Sequence, residues 1–268
     1  MVRVGLVGCG TIGSRLARAL QQRYPHDARI AALHDVDPAR ARALQRRLRP
    51  PPPILSLSRL IRASDLVVEA ASVDAAGEVV RRALAARRDV FVMSVGGLLR
   101  DQRWRRQARR MDRNVFIPSG ALAGLDGVKA MATGRIRRLT LTTRKPPRAL
   151  AEAPLVRRRG LRLSQLSRPT LLFEGSPRAV VRAFPQNTNV AAALALAAGR
   201  SGGRARVRVV ADPSIRRNVH ELDVESAGGR MTCRIESRPS ANPKTSELAV
   251  RSAVAALRGV FDRVALGT

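Results

Sequence analysis

A chain of 268 residues that is 45 % hydrophobic suits one large domain or two modest ones, with length enough for a sizeable core. It contains no run of about 18 apolar residues, which argues against a helical membrane span. Its net charge is +30 and aromatic residues make up only 3 %. The arginines are scattered over most predicted helices and loops, so the charge reads as a bias of solvated faces and argues against a specific nucleic-acid site.

The first element is an apolar strand, residues 2–7. It runs into Gly8-Cys9-Gly10-Thr11-Ile12-Gly13, a G-x-G-x-x-G turn, and then into a helix over 11–23. In that strand–turn–helix setting each glycine has a physical task. Gly8 permits the tight turn, Gly10 lets a pyrophosphate approach the backbone, and Gly13 lets helix and strand pack closely. The free N–H groups at the helix start, at Thr11 and Ile12, face the phosphates. The opening residues therefore read as a core strand, not a secretory leader. A second strand, 29–34, leads into Asp35. That residue lies about 20 residues past the turn, where a carboxylate is expected to hold the adenosine ribose. Asp35 repels a 2′-phosphate and is followed by Val36, which favours NAD and leaves NADP as a second option.

Asp37-Pro38 opens a helix through Arg49, and Pro50 to Pro53 is a stiff connector. Strands at 66–70, 89–93 and 115–118, with a helix at 74–86, complete a series of βαβ units and hence a parallel sheet. Ligands of such sheets sit beyond the carboxyl ends of the strands. Ala70 and Ser72, then Ser94-Val95-Gly96, then Ser119-Gly120-Ala121, are the loop residues placed there.

The pattern changes after about residue 133. Leu139 and Leu141 alternate with Thr140 and Thr142 in a half-buried strand, with Ile136 one position out of phase. Residues 148–168 read as basic and irregular. A short strand at 171–173, a helix from Ser176-Pro177 to Ala183 and an alanine-rich helix over 190–198 follow. Strands at 205–210, 218–225 and 230–237, with a hairpin signal at Ala227-Gly228-Gly229, form a largely antiparallel sheet. Such a sheet can bury one face against a second copy. Asn242-Pro243 opens a last helix whose stripe of Val250, Val254, Leu257 and Phe261 is free to pack back on the first domain. The expected fold class is α/β. An N-terminal Rossmann dinucleotide-binding domain covers 1–118 and takes the C-terminal helix 242–268 onto it. An α+β catalytic and dimerisation domain covers 119–241.

Cys9 and Cys233 have neither metal-ligand nor disulfide-framework spacing, so no metal site is expected and a reducing cytoplasm fits. Of three histidines, His26 lies in a polar loop, His34 ends the second strand, and His220 stands in a polar stretch beside Glu221. An imidazole titrates near neutrality and suits proton transfer. Only three basic residues are lysine: Lys129, Lys145 and Lys244. A compact ammonium does not interchange freely with a planar guanidinium at a tight site. Lys244, with Thr245 and Ser246 at a helix start, is therefore a candidate for binding a carboxylate, and Lys145 is a second one.

Four stretches together resemble the L-aspartate dehydrogenase family. They are Pro118-Ser119-Gly120-Ala121-Leu122-Ala123-Gly124-Leu125-Asp126, Phe184-Pro185-Gln186-Asn187-Thr188-Asn189-Val190-Ala191, Ala211-Asp212-Pro213 with Arg217-Asn218-Val219-His220-Glu221, and Asn242-Pro243-Lys244-Thr245-Ser246. The resemblance implies NAD(P)-dependent interconversion of L-aspartate with iminosuccinate, which yields oxaloacetate and ammonia. It makes His220 catalytic and puts Ala121 and Asn189 on the nicotinamide side. Asn187 joins Lys244, Thr245 and Ser246 as the expected substrate-binding group, and the free face of the antiparallel sheet makes a homodimer the expected assembly. The residues read without it leave room for a dihydrodipicolinate-reductase-like or homoserine-dehydrogenase-like enzyme. The arginine load and the basic segment 148–168 depart from the family pattern.

Overall fold

The computed structural model describes residues 1–185, 189–238, 246–262 and 264. The chain divides into two compact units. One is Met1–Pro118 with the stretch from Ala253, and the other is built on Ser119–Ser252.

The first unit alternates strands and helices: β1 (Val2–Val7), α1 (Thr11–Arg23), β2 (Ala28–His34), α2 (Pro38–Gln45), α3 (Leu57–Ala63), β3 (Leu66–Glu69), α4 (Val73–Ala85), β4 (Asp89–Val92), α5 (Arg103–Met111) and β5 (Val115–Phe116). All its strand pairs are parallel, in the order β2-β1-β3-β4-β5. The chain therefore reverses direction across the sheet between β1 and β3, the switch point at which such sheets bind ligands. Leu6, Leu33, Leu66, Val68 and Phe91 bury against Leu16, Ala17 and Leu20 of α1. Burial of each of the larger side chains contributes about 1.5–3 kcal/mol relative to exposure.

The helix predicted through Arg49 ends at Gln45, followed by turns to Leu48. Asp37 caps it by accepting from the Ala39 N–H, with Pro38 in the first turn. Two helices carry no distinct sequence signal. Over 57–63 only Leu60 and Ile61 are buried, and over 103–111 Ala108 alone is buried among arginines.

The second unit contains α6 (Leu125–Met131), β6 (Ile136–Lys145), α7 (Pro147–Leu150), α8 (Pro154–Arg158), β7 (Thr170–Gly175), α9 (Pro177–Ala183), α10 (Asn189–Ala197), β8 (Arg206–Ala211), β9 (Asn218–Ser226) and β10 (Gly229–Ser237). The last helix, α11 (Glu247–Phe261), begins here, and its Ala253 and Leu257 lie in the core of the first unit. Residues 148–168 are not irregular throughout. Two short proline-started helices bury Leu150, Leu155 and Val156, and their exposed arginines hide that pattern in the sequence.

The sheet order is β10-β9-β6-β8-β7, antiparallel except for β6 with β8. A bulge between Ile136 and Arg138 explains why Ile136 is out of phase with Leu139 and Leu141. One sheet face buries Leu139, Leu141, Leu222, Val224, Val207 and Val209. The opposite face is more open and carries ion pairs: Arg144 and Arg234 on Glu221, and Arg206 and Arg208 on Glu174. The opening of the last helix at Asn242-Pro243 lies outside the described residues.

Candidate active site

At the glycine turn each glycine meets a different surrounding. Gly8 adopts φ +95°, and a Cβ there would stand 2.5 Å from the Ala70 carbonyl. A Cβ on Gly13 would stand 1.9 Å from the Gly8 carbonyl oxygen. These two glycines are needed by the fold itself. Gly10 differs, because a Cβ there would meet nothing within 4 Å among the described residues beyond its chain neighbours. Those residues make no steric demand on that position, so the bare backbone leaves room for a ligand. The turn ends at Thr11, the first residue of α1, and among the described residues no side chain caps that helix. Its leading N–H groups and positive dipole end suit a pyrophosphate. Thr11 is partly buried, and Ile12 packs against the core.

Asp35 is tied to this turn. Its Oδ2 accepts from the Cys9 N–H at 2.7 Å and its Oδ1 from the Asp37 N–H at 2.9 Å. A carboxylate has about four acceptor positions, so room remains for ribose hydroxyls. Val36 is 94 % exposed. Arg40, the nearest candidate for a 2′-phosphate, pairs with Asp37 at 3.2 Å. Burial pushes the Cys9 thiol up to about 12, with Asp35 adding to it, so the thiol in the turn is unreactive at neutral pH. At the end of β3, Ala70 packs on the core and Ser72 caps α4, accepting from the Ala75 N–H at 3.2 Å. His34 binds the Leu55 carbonyl through Nδ1 at 2.9 Å, a structural role. These features fit a dinucleotide.

In the second unit, the buried sheet face turns polar at one end. Along β6 the apolar Leu139 and Leu141 give way to Thr143 and Lys145, both buried. Along β9 the same face runs back from Val224 and Leu222 to His220 and Asn218. His220 is opposite Thr143 on one side and Ile235 on the other. Its Nδ1 lies 3.1 Å from the Thr143 Oγ1. Asn218 is 1 % exposed, and among the described residues its Oδ1 has no hydrogen-bond partner. Asp212 is also buried and accepts from both the Ser214 N–H and its hydroxyl.

Burial depresses the basicity of both titratable groups in this cluster. Lys145 falls to about 8 through burial, and His220 falls to about 3 through burial and then the neighbouring Lys145 charge. The imidazole is therefore neutral at neutral pH. The unfolded chain gains a proton on this side chain near pH 6.5, whereas the folded chain does not until about pH 3. Between those values the unfolded state binds more protons, so stability falls as pH falls. We expect denaturant titrations to show the parent losing about 2–4 kcal/mol more than His220→Gln between pH 6.5 and 4. Equal losses would place the imidazole in water.

The remaining described candidates belong to the second unit. Ala121 is buried in the core of the second unit and Asn189 begins α10. Ser246 is buried, and its hydroxyl caps α11, accepting from the Ala249 N–H at 3.0 Å. Asn187, Lys244 and Thr245 lie outside the described residues. Sequence reasoning missed Thr143, Asn218 and Glu69 as site candidates. The signal for Thr143 was the leucine–threonine alternation it ends, and the signal for Glu69 was an acid closing an apolar strand. A groove of about 580 Å³ beside α5, lined by Arg81, Arg103, Arg106, Gln107 and Arg110, contains none of the candidate residues. Among the described residues no metal-binding cluster occurs, and no helix is long and apolar enough to cross a membrane.

Residues 126–260 match the C-terminal domain family of aspartate dehydrogenase, and residues 8–118 match the NAD-binding domain family of homoserine dehydrogenase. The L-aspartate dehydrogenase of Methanosarcina barkeri is 42 % identical, over 84 % of either chain. L-aspartate dehydrogenase 3 of Bordetella bronchiseptica is 39 % identical, over 83 % of this chain and 82 % of that one. The crystal structure of Thermotoga maritima aspartate dehydrogenase has the same fold across the full length of both chains, at TM-score 0.74 and 24 % identity. With a polar histidine cluster on one sheet, a glycine turn shaped for a dinucleotide on the other, and this degree of likeness, the chain belongs to the aspartate dehydrogenase family.

Proposed function

We propose that this chain is an NAD(P)-dependent L-aspartate dehydrogenase. It oxidises L-aspartate to iminosuccinate, which water converts to oxaloacetate and ammonia, and it catalyses the reverse reductive amination. The observation that carries this reading is the buried His220–Thr143–Lys145 cluster in a chain of this family.

Bound NAD supplies the acceptor for the hydride leaving the substrate α-carbon. The protein handles the proton. A neutral imidazole takes it from the substrate ammonium or from the hydrolytic water, and the Thr143 hydroxyl fixes the orientation of the ring. Burial, and then the Lys145 ammonium, oppose protonation of that ring. Two substrate carboxylates offset that charge, so His220 becomes a better base once aspartate is bound. Lys145, together with Asn187, Lys244, Thr245 and Ser246, holds the substrate. Gly8, Gly10, Thr11, Ile12, Gly13, Asp35, Ala70 and Ser72 hold the coenzyme, and Ala121 and Asn189 serve its nicotinamide side. NAD is preferred over NADP because Asp35 faces the ribose and Arg40 is engaged by Asp37. The enzyme acts as a cytoplasmic homodimer, a reading supported by the sheet face available to a second copy and by two cysteines without disulfide-framework spacing. Its reaction serves iminosuccinate supply for pyridine-nucleotide synthesis, amination of oxaloacetate or aspartate catabolism.

The test is NADH formation from an amino-acid panel. We expect L-aspartate to support turnover, with D-aspartate, L-glutamate and L-malate at least 100-fold poorer in kcat/KM, and NAD to be preferred to NADP. A better rate with homoserine than with L-aspartate would replace this reading with the homoserine-dehydrogenase-like one.

A further inference from the structure

β3 ends on an acid. Leu66, Val67 and Val68 are buried aliphatic residues, and the next residue, Glu69, is 0 % exposed. A leucine there would extend the apolar run, whereas a buried carboxylate is costly unless it is well hydrogen-bonded. The bonds of the Glu69 side chain go to loops at the carboxyl end of the sheet. Its Oε1 accepts from the Ala71 N–H at 2.9 Å, and its Oε2 accepts from the Ser94 N–H at 3.0 Å. Its main-chain carbonyl accepts from the Met93 N–H at 2.9 Å. One side chain thus joins the loop after β3 to the loop after β4. Burial pushes its carboxyl above the usual carboxylate range, and the hydrogen bonds from Ser94, Ala71 and Ser72 oppose that rise.

The loop that Glu69 holds is the one against which the glycine turn rests. The added-atom geometry at Gly8 runs into Ala70 and into the Ala71 nitrogen, and that at Gly13 runs into Gly8. The Ala70 N–H also donates to the Val7 carbonyl at 2.8 Å, closing the β1 side of the same corner. Ala71 and Ser72 are exposed on their outer side. The carboxylate therefore supports, from within, a loop whose outer surface is open to a ligand at the β1/β3 switch point.

We propose that Glu69 is the positioning residue of the coenzyme site, holding the loops after β3 and β4 at the spacing a dinucleotide needs. The proposal rests on the dinucleotide reading of the glycine turn. It differs from a purely structural role because the two loops, not the hydrophobic core, receive the bonds. Glu69→Gln keeps the volume but presents an NH2 group to one of the two N–H donors, so one loop is released.

The experiment is an NADH titration by fluorescence on the full chain, with thermal unfolding measured in parallel. We expect Glu69→Gln to raise the NADH Kd about tenfold. KM for NAD should rise by a similar factor, while KM for L-aspartate at saturating NAD moves less than twofold. Glu69→Asp retains the charge but is one methylene shorter, and its NADH Kd should fall between the two. If Glu69→Gln does not fold, Glu69→Asp and amide exchange on the parent decide the matter. Bound NADH should slow exchange at Ala71 and Ser94 together with Gly10 to Ile12. An NADH Kd within twofold of the parent in a folded variant, or exchange at Ala71 and Ser94 indifferent to NADH, overturns the proposal. A parent that fails to bind NADH overturns the dinucleotide reading beneath it.

Discussion

Replacing His220 by alanine lowers kcat for L-aspartate oxidation by about 10²–10⁴ while leaving NADH affinity within about threefold of the parent. The imidazole lies in the second unit, within a hydrogen bond of Thr143 and buried at the polar end of a face whose remainder is aliphatic. Removing it takes away the group that accepts the proton but leaves the glycine turn untouched. His220→Gln keeps a hydrogen-bonding group near Thr143 and therefore folds more readily than the alanine variant, yet it shares the loss of rate. Stopped-flow oxidation of L-aspartate with a parallel NADH titration separates the two effects. A variant that turns over within fivefold of the parent would remove His220 from the chemistry.

The second large effect is at Gly10. Gly10→Val should fold with a melting temperature within a few degrees of the parent, because a Cβ at that position meets nothing within 4 Å among the described residues beyond its chain neighbours. The same substitution should weaken NADH binding on the order of 100-fold, since the side chain occupies the approach to the phosphates; a clash of 1–3 kcal/mol is typical of overfilled sites. Gly13→Ala gives the reverse order of events. Its added methyl is directed at the Gly8 carbonyl, so stability falls first and binding falls with it. Differential scanning fluorimetry with and without NADH reads both. Equal loss of melting temperature in the two variants would mean that Gly10 is a structural glycine and that no ligand needs its bare backbone.

Much of this was legible in the sequence because the relevant signals are local. The glycine turn, Asp35 and the alternating βαβ pattern depend on neighbours within about 20 residues, and the fold preserves them. The helix at Arg103–Met111 was not legible, since five of its nine residues are arginine and one alanine supplies its buried contact. Its place is set by packing on α4, which leaves no periodic mark. The polar cluster was legible only in part. His220 stood out as one of three histidines, but Thr143 reaches it across a strand pair separated by 77 residues. Glu69 was hidden because three apolar residues, one acid and then small residues read as an ordinary strand end. The donors that satisfy it come from two different loops.

The most direct measurement follows the hydrogen on the substrate α-carbon. L-aspartate deuterated at that carbon is incubated with the enzyme and NAD, and the NADH is examined by NMR. We expect one deuterium at the nicotinamide C4 position per NADH formed and none released to solvent. NADH carrying protium at C4, with the deuterium found in water, would contradict it.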